Sequence, residues 1–231
     1  MQQLVLPIRK PEAPSFDNCY LGEPNRWVGA SLRDESLGMT WLSGGNSSGK
    51  THLALASNSY WQQQGYSSCY FDLADLAAYN PEDVLQNIEQ HNYLFLDNSD
   101  YVAGVLDWEH ALFSLYNTAL ERNNSIVFCA NSNPVVSRFI LPDLVSRFQS
   151  CLSLRLQAPS DIDKRHILKS RALRSGLRLN NRVIDYLLTH SSRDLKVLIG
   201  VLSQLDQTSW RYSRRVTVAM VKDVLELGRV G

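Results

Sequence analysis

The sequence predicts an α/β domain with a mainly parallel sheet, followed by a small all-helical domain, and three observations carry that prediction. Short apolar runs alternate with longer helical patterns over residues 39–156, as in successive strand–helix–strand units. A glycine-rich G-x-x-x-x-G-K-[ST] stretch stands between the first apolar run and the first long helical pattern. After Pro159 the strand signal stops, and arginine-rich amphipathic patterns take over. The 231 residues suit this layout, being too many for one average domain of roughly 150 residues and too few for two.

Five strands are expected at Met39–Ser43, Ser68–Asp72, Tyr93–Asp97, Ser125–Ala130 and Cys151–Leu156, each apolar and bounded by polar or turn residues. Helices fall between them near 50–64, 82–90, 107–122 and 134–147. The second domain holds four more, near 160–175, 181–190, 193–208 and 217–227. Gly176 is placed to close the first of these, and Asn180, Ser192 and Thr217 to cap the next three. Short polar side chains satisfy the otherwise unpaired N–H groups of a helix start.

Composition narrows the function classes. With 44% apolar and 20% charged residues the chain has the make-up of a folded, water-soluble protein, not of a disordered tail, a collagen or a coiled coil. Lys+Arg and Asp+Glu both number 23, so attraction of the whole molecule to nucleic acid or anionic lipid is not expected. The charges are nevertheless segregated. Residues 160–231 hold 14 basic against 7 acidic side chains and residues 1–159 hold 9 against 16, so the last third offers a basic surface or simply a solvated helical face. No apolar window of about 18 residues and no export signal is seen, so no membrane partner is expected. Cys19, Cys69, Cys129 and Cys151 lie far apart with no C-x-x-C spacing, and read as reduced core thiols of a cytoplasmic protein.

The chemistry is concentrated in Gly44, Gly45, Asn46, Ser47, Ser48, Gly49, Lys50 and Thr51. Such a loop lets backbone N–H groups wrap phosphate oxygens at a helix start, while Lys50 brings a cation and the Thr51 hydroxyl can ligand Mg²⁺. The apolar run Tyr93–Leu96 ends on Asp97, the expected second partner of Mg²⁺. Next to it stands Asn98, which cannot take a proton as an acid at that position would. Nucleotide binding is therefore expected with weak hydrolysis, unless another residue such as Asp100 supplies the base.

Several stretches together resemble the DnaA-type AAA+ proteins of bacterial replication initiation, over roughly residues 15–227. They are Lys50-Thr51-His52-Leu53, Leu96-Asp97-Asn98, Trp108-Glu109, Phe113-Ser114-Leu115-Tyr116-Asn117, and Phe16-Asp17-Asn18 with Gly22 and Asn25. The resemblance implies an AAA+ P-loop NTPase domain with a five-stranded parallel sheet over 15–158 and an all-α lid over 159–231. It also implies ADP or ATP with Mg²⁺ as the bound group, with Phe16, Asn18 and His52 among its contacts. Asn131-Ser132-Asn133-Pro134 resembles the polar sensor at a strand end, pointing to Asn131 and Ser132. Leu144-Val145-Ser146-Arg147-Phe148 resembles the segment whose arginine, here Arg147, acts across a subunit boundary on a neighbour's nucleotide. Ser192-Arg193-Asp194-Leu195 resembles the second sensor, with Arg193 reaching phosphate from the lid.

Gln3-Leu4-Val5-Leu6-Pro7 resembles the peptide by which such proteins dock on the replicative sliding clamp, within an extended arm over residues 1–14. Leu4 and Leu6 would enter an apolar groove, Gln3 would set the register, and Pro7 would end the segment. The chain ends at Gly231, where a full initiator continues into a DNA-binding domain, so the resemblance is to the short regulatory members of the family. The implied partners are the sliding clamp (the DNA polymerase β subunit), the initiator DnaA, and DNA indirectly through the clamp, with room for a homo-oligomer. The implied place is the bacterial cytoplasm, at the nucleoid. Two alternatives remain open, a self-sufficient ATPase of the helicase-loader type and a DNA-binding initiator paralogue.

Overall fold

A computed structural model describes residues 13–212 and 215–227. The clamp-type residues Gln3, Leu4, Leu6 and Pro7, and most of the expected arm, lie outside the described residues.

The five expected strands form one parallel sheet: β1 Met39–Ser43, β2 Ser68–Asp72, β3 Tyr93–Asp97, β4 Ser125–Ala130 and β5 Leu152–Arg155, in the order β2-β3-β4-β1-β5. Helices α1 Arg26–Ser31, α2 Lys50–Gln63, α3 Leu73–Leu76, α4 Pro81–Val84, α5 Leu106–Glu121 and α6 Pro142–Gln149 surround it. Strand alternation divides the core into two layers. Trp41, Leu94, Leu96, Ile126 and Phe128 pack under α5 and α6, whereas Leu42, Tyr93, Phe95, Val127 and Cys129 face α2. Both faces are covered, which is why β3 and β4 are apolar at almost every position.

Helices α7 Asp161–Arg174, α8 Asn181–His190, α9 Leu195–Tyr212 and α10 Val218–Leu227 make the all-helical unit around Leu168, Val183, Leu187, Leu198, Leu205 and Val221. Gly176 stands past α7 at φ 74°, a left-handed backbone that glycine adopts without strain. The Asn180 side chain accepts from Val183 N–H at 2.9 Å, and Thr217 Oγ1 from Met220 N–H at 3.3 Å, both as expected.

Four expectations need correction. The helix over 82–90 is a single turn, α4, followed by a 3₁₀ turn at Ile88–Gln90, because Asn87 turns left-handed at φ 62°. The helix over 134–147 starts only at Pro142, since the side chain of Glu109 takes the N–H groups of Ile140 and Leu141. The last strand covers Leu152–Arg155 rather than Cys151–Leu156. The cap of α9 is Asp194, whose Oδ1 accepts from Lys196 N–H at 2.7 Å; Ser192 instead accepts from Asp194 N–H. The four cysteines carry no disulfide, and burial pushes the Cys19 thiol up to about 11 and those of Cys69 and Cys151 up to about 12.

Trp41 ties this core to the site. Fully buried, it contacts Phe139 and Phe148 with ring centroids 6.1 and 4.7 Å away, and its indole N–H donates to Ser132 O at 2.9 Å. Trp41→Ala is expected to cost about 3–5 kcal/mol, a large part of the stability of an ordinary domain. Chemical denaturation checks this, and a loss under about 1 kcal/mol would mean that the layer repacks.

Candidate nucleotide site

The loop 44–49 leaves the C-terminal end of β1, between β4 and β5, and runs into α2 at Lys50. It is fastened on both sides, Gly44 N–H to Ala130 O at 3.2 Å and Leu156 N–H to Ser43 O at 2.7 Å. A Cβ at Gly44 would lie 2.8 Å from both Leu156 O and Ser48 Oγ, so only glycine fits there. Ser47 at φ 57° and Gly49 at φ 103° turn the loop so that amides and the start of a fourteen-residue helix converge on one place.

Lys50 is only 7% exposed. Its ammonium donates to Gly44 O at 2.7 Å, Gly45 O at 3.1 Å and Asn131 Oδ1 at 3.1 Å. Burial lowers its pKa, against the pull of Asp97, Cys129 and Asp100. The cation is thus held at the loop by neutral carbonyls, weak partners that an anion's oxygens outcompete.

Around this point lies a cleft of about 760 Å³. Its walls come from Asn18–Gly22 and Asn25, the loop 46–52, the strand ends at Asp72, Asn98 and Asn131, and the helical unit through Arg171, Arg174, Asp194 and Lys196. A larger groove of about 970 Å³, between α4 and α5, offers no glycine loop, and the phosphate loop marks the smaller cleft as the site. Within that cleft Thr51 is exposed, Ser48 Oγ is buried without a hydrogen-bond partner, and so is His52 Nε2. Burial, and then Arg171, lower the His52 pKa and keep the ring neutral.

The expected residues are not all brought together. Gly44, Gly45, Asn46, Ser47, Ser48, Gly49, Lys50, Thr51 and His52 form the loop, and Asn18 and Asn131 face the cleft. Phe16 packs beside it, edge-on to Tyr60 with the Arg33 guanidinium 4.7 Å from its ring centroid. Asp97 has no exposed surface, and its carboxylate accepts from Tyr70 OH at 3.0 Å and Asn98 N–H at 2.9 Å. The Ser132 hydroxyl turns away, to Ser137 Oγ at 3.1 Å. The Asp100 carboxylate is committed to Asn131 N–H at 3.0 Å. Arg193 is 75% exposed and faces Asp161 at 3.8 Å; the helical unit's cations that line the cleft are Arg171, Arg174 and Lys196. Arg147 is exposed on the last turn of α6, outside the cleft, with its guanidinium 5.8 Å from the Tyr116 ring centroid.

Three residues were missed in the sequence. Asp72 pairs in register with Asp97, lines the cleft, and accepts from Asn98 Nδ2 at 2.7 Å, so a carboxylate stands beside the amide that replaces one. Its place at the end of the neighbouring strand was the available signal. Tyr70, on the same strand, orients Asp97. Asp194 joins the helical unit to the loop, each of its oxygens 2.8 Å from Ser47 Oγ. The Ser47 hydroxyl, and then the α9 backbone, hold this carboxyl below the usual carboxylate range. The contact is therefore complete at neutral pH and lost as pH falls through the lowered value.

Residues 161–225 match the family described as "Hda, lid domain". The fold as a whole resembles domain III of the replication initiation protein DnaA of Thermotoga maritima, with a TM-score of 0.80 at 22% identity, covering 94% of this chain and 98% of that one. A second similar structure is the replication initiator DnaA bound to AMPPCP and single-stranded DNA, with a TM-score of 0.73 at 20% identity, covering 87% of this chain and 68% of that one. The RuvB protein of Thermotoga maritima is also similar, with a TM-score of 0.70 at 17% identity, over 93% of this chain and 72% of that one. Sheet order, phosphate loop and helical unit give this chain a fold like that of DnaA domain III, and its helical unit matches the Hda lid family.

Proposed function

We propose that the protein is a regulator of replication initiation, one that binds an adenine nucleotide, docks on the sliding clamp, and stimulates hydrolysis of ATP held by the initiator DnaA. The observation that carries this reading is the division of labour between two places. The cleft has a phosphate loop but Asn98 where an acid would activate water, while an exposed arginine, Arg147, stands outside that cleft. An arginine so placed serves someone else's phosphate.

ADP or ATP would lie on residues 44–52, with Lys50 at the phosphates and Asn18 and His52 toward the base. The exposed Thr51 hydroxyl is an oxygen donor of the kind Mg²⁺ takes, and the Asp97 carboxylate, fully buried and off the cleft wall, would join it only on rearrangement. No cluster of three acidic, His or Cys side chains that could cage a metal exists among the described residues. Mg²⁺, when bound, would supply charge neutralisation at the phosphates. Arg193 would reach phosphate only after leaving Asp161. The arm 1–14 would carry the clamp contact, 15–158 the nucleotide domain, and 159–231 the lid. No helix among the described residues is long and apolar enough to cross a membrane; action in the cytoplasm, at the nucleoid, is part of the same proposal.

The test is turnover in two settings. Alone with ATP the protein is expected to be slow, and with initiator and clamp-loaded DNA it is expected to speed loss of the initiator's ATP. Fast turnover alone would instead support a helicase-loader-like ATPase, which Asp72 in the cleft would serve as a base. Salt-sensitive DNA binding without clamp would support an initiator paralogue.

Clamp docking is assigned to the arm, so Gln3→Ala with Leu6→Ala is expected to abolish retention on immobilised clamp while nucleotide affinity is unchanged. Full retention of that double variant would move the contact to the folded surface.

A further inference from the structure

We propose that α5 is the mount of the trans-acting arginine, with Glu109 and Tyr116 as positioning residues that hold Arg147 in the pose it presents to a partner's nucleotide. The inference rests on the reading of Arg147 given above. An arginine that acts across a boundary has no ligand of its own to order it, so its orientation has to be set by its own chain before the encounter. Its helix is poorly equipped to do so. Helix α6 has only eight residues, well short of what holds an isolated helix, and it follows a segment, 131–141, without regular helix or strand.

Helix α5 secures both ends of it. At the N-terminal end the fully buried carboxylate of Glu109 accepts from Leu141 N–H at 2.6 Å, from Ile140 N–H at 3.0 Å on each oxygen, and from Gly104 N–H at 2.7 Å. A buried carboxylate is costly, and three backbone donors are what make this one tolerable. Two of them immediately precede Pro142, so the charge also lies at the positive end of α6. Glu109 does not line the nucleotide cleft, and what it holds is the entry to the arginine's helix.

At the other end stands Tyr116, about two helical turns along the same face of α5 and 4% exposed. Its ring lies beneath the Arg147 guanidinium, 5.8 Å from centroid to carbon, at the reach of a cation–π contact. Its hydroxyl is 3.4 Å from Ser150 Oγ, and that hydroxyl donates to Arg147 O at 2.7 Å. Phe128 of β4 backs the ring in a stacked arrangement at 6.4 Å. The arginine is therefore referenced through one aromatic ring to the central sheet, and through one carboxylate to the loop that leaves Asn131 and Ser132.

The experiment measures stimulation of initiator-bound ATP hydrolysis on clamp-loaded DNA against protein concentration, for the parent, Arg147→Ala, Tyr116→Leu, Tyr116→Phe and Glu109→Gln, with unfolding curves for each. Tyr116→Leu is expected to lower the maximal rate by about 10²-fold, the scale of a misplacement near 1 Å, with the half-maximal concentration unchanged. Tyr116→Phe keeps the ring and is expected to stay within a few-fold of the parent. Glu109→Gln points an NH₂ donor at backbone donors and is expected to lower the maximal rate as well. If Glu109→Gln does not fold, the two Tyr116 variants decide alone. A Tyr116→Leu protein that reaches the parental maximal rate, or that loses only affinity, overturns the proposal. If Arg147→Ala itself stimulates like the parent, the reading of Arg147 has failed instead.

Discussion

Arg147→Ala is expected to keep its fold, its nucleotide and its hold on the clamp, and to lose the ability to stimulate hydrolysis of initiator-bound ATP. The side chain is exposed, so truncation removes little packing beyond its contact with the Tyr116 ring. What it removes is a fixed charge and a planar fork of donors suited to the γ-phosphate as negative charge develops there. An arginine supplied in trans is worth roughly 10³- to 10⁵-fold in well-studied phosphoryl transfers, so the deficit will be conspicuous. Arg147→Lys is expected to rescue poorly, because a point charge on a flexible stem reproduces neither the fork nor the seat on the ring. The comparison is single-turnover loss of labelled ATP from the initiator on clamp-loaded DNA. Equal rates for parent and Arg147→Ala would take the catalytic residue out of the proposed mechanism.

Lys50→Ala is the second large effect. The ammonium is buried at the loop and held by two backbone carbonyls and Asn131 Oδ1, so in the free protein it already waits at the phosphate position. Charged hydrogen bonds of this kind contribute about 1.5–3 kcal/mol each, and the deletion also leaves those carbonyls without their donor. A fall of about 10²-fold or more in ADP affinity is expected by calorimetry. Clamp retention is expected to be untouched, since the arm lies far from the loop in sequence. Equal affinity for variant and parent would reject the phosphate cradle.

The strands were legible because a sheet covered on both faces demands apolar residues at nearly every position, and β3 and β4 satisfy that demand. The phosphate loop was legible because glycine, lysine and threonine at fixed spacing follow from the chemistry of wrapping an anion. What sequence alone did not yield depended on contacts between distant segments. Nothing local says that Glu109 takes the amides of Ile140 and Leu141, and without that the segment 134–141 reads as helix. Nothing local says that Asp194 caps α9 while also holding Ser47. The phase of α7 decides that Arg171 and Arg174 face the cleft, and a motif match to Arg193 cannot reveal this. Asp72 became visible only when β2 was laid in register beside β3.

The position of β1 in the sheet has a consequence for how the chain acquires its shape. Both neighbours of β1 are encoded much later: Gly38, just before it, bonds to Ser125 across 87 positions, and Ser43 reaches Leu154 across 111. The first half of the chain on its own can pair β2 with β3 but cannot seat β1, and the Gly44 amide has no Ala130 carbonyl to meet. During synthesis from the N-terminus, the phosphate loop therefore stays unformed until the ribosome has passed β5, whereas the helices that follow depend on near neighbours and close quickly. Closing such long loops is slow because chain entropy is lost before any contact repays it. In refolding of the finished chain, where every segment is present at once, a probe at the loop will lag behind one placed in α7–α10, although the loop's residues are made first.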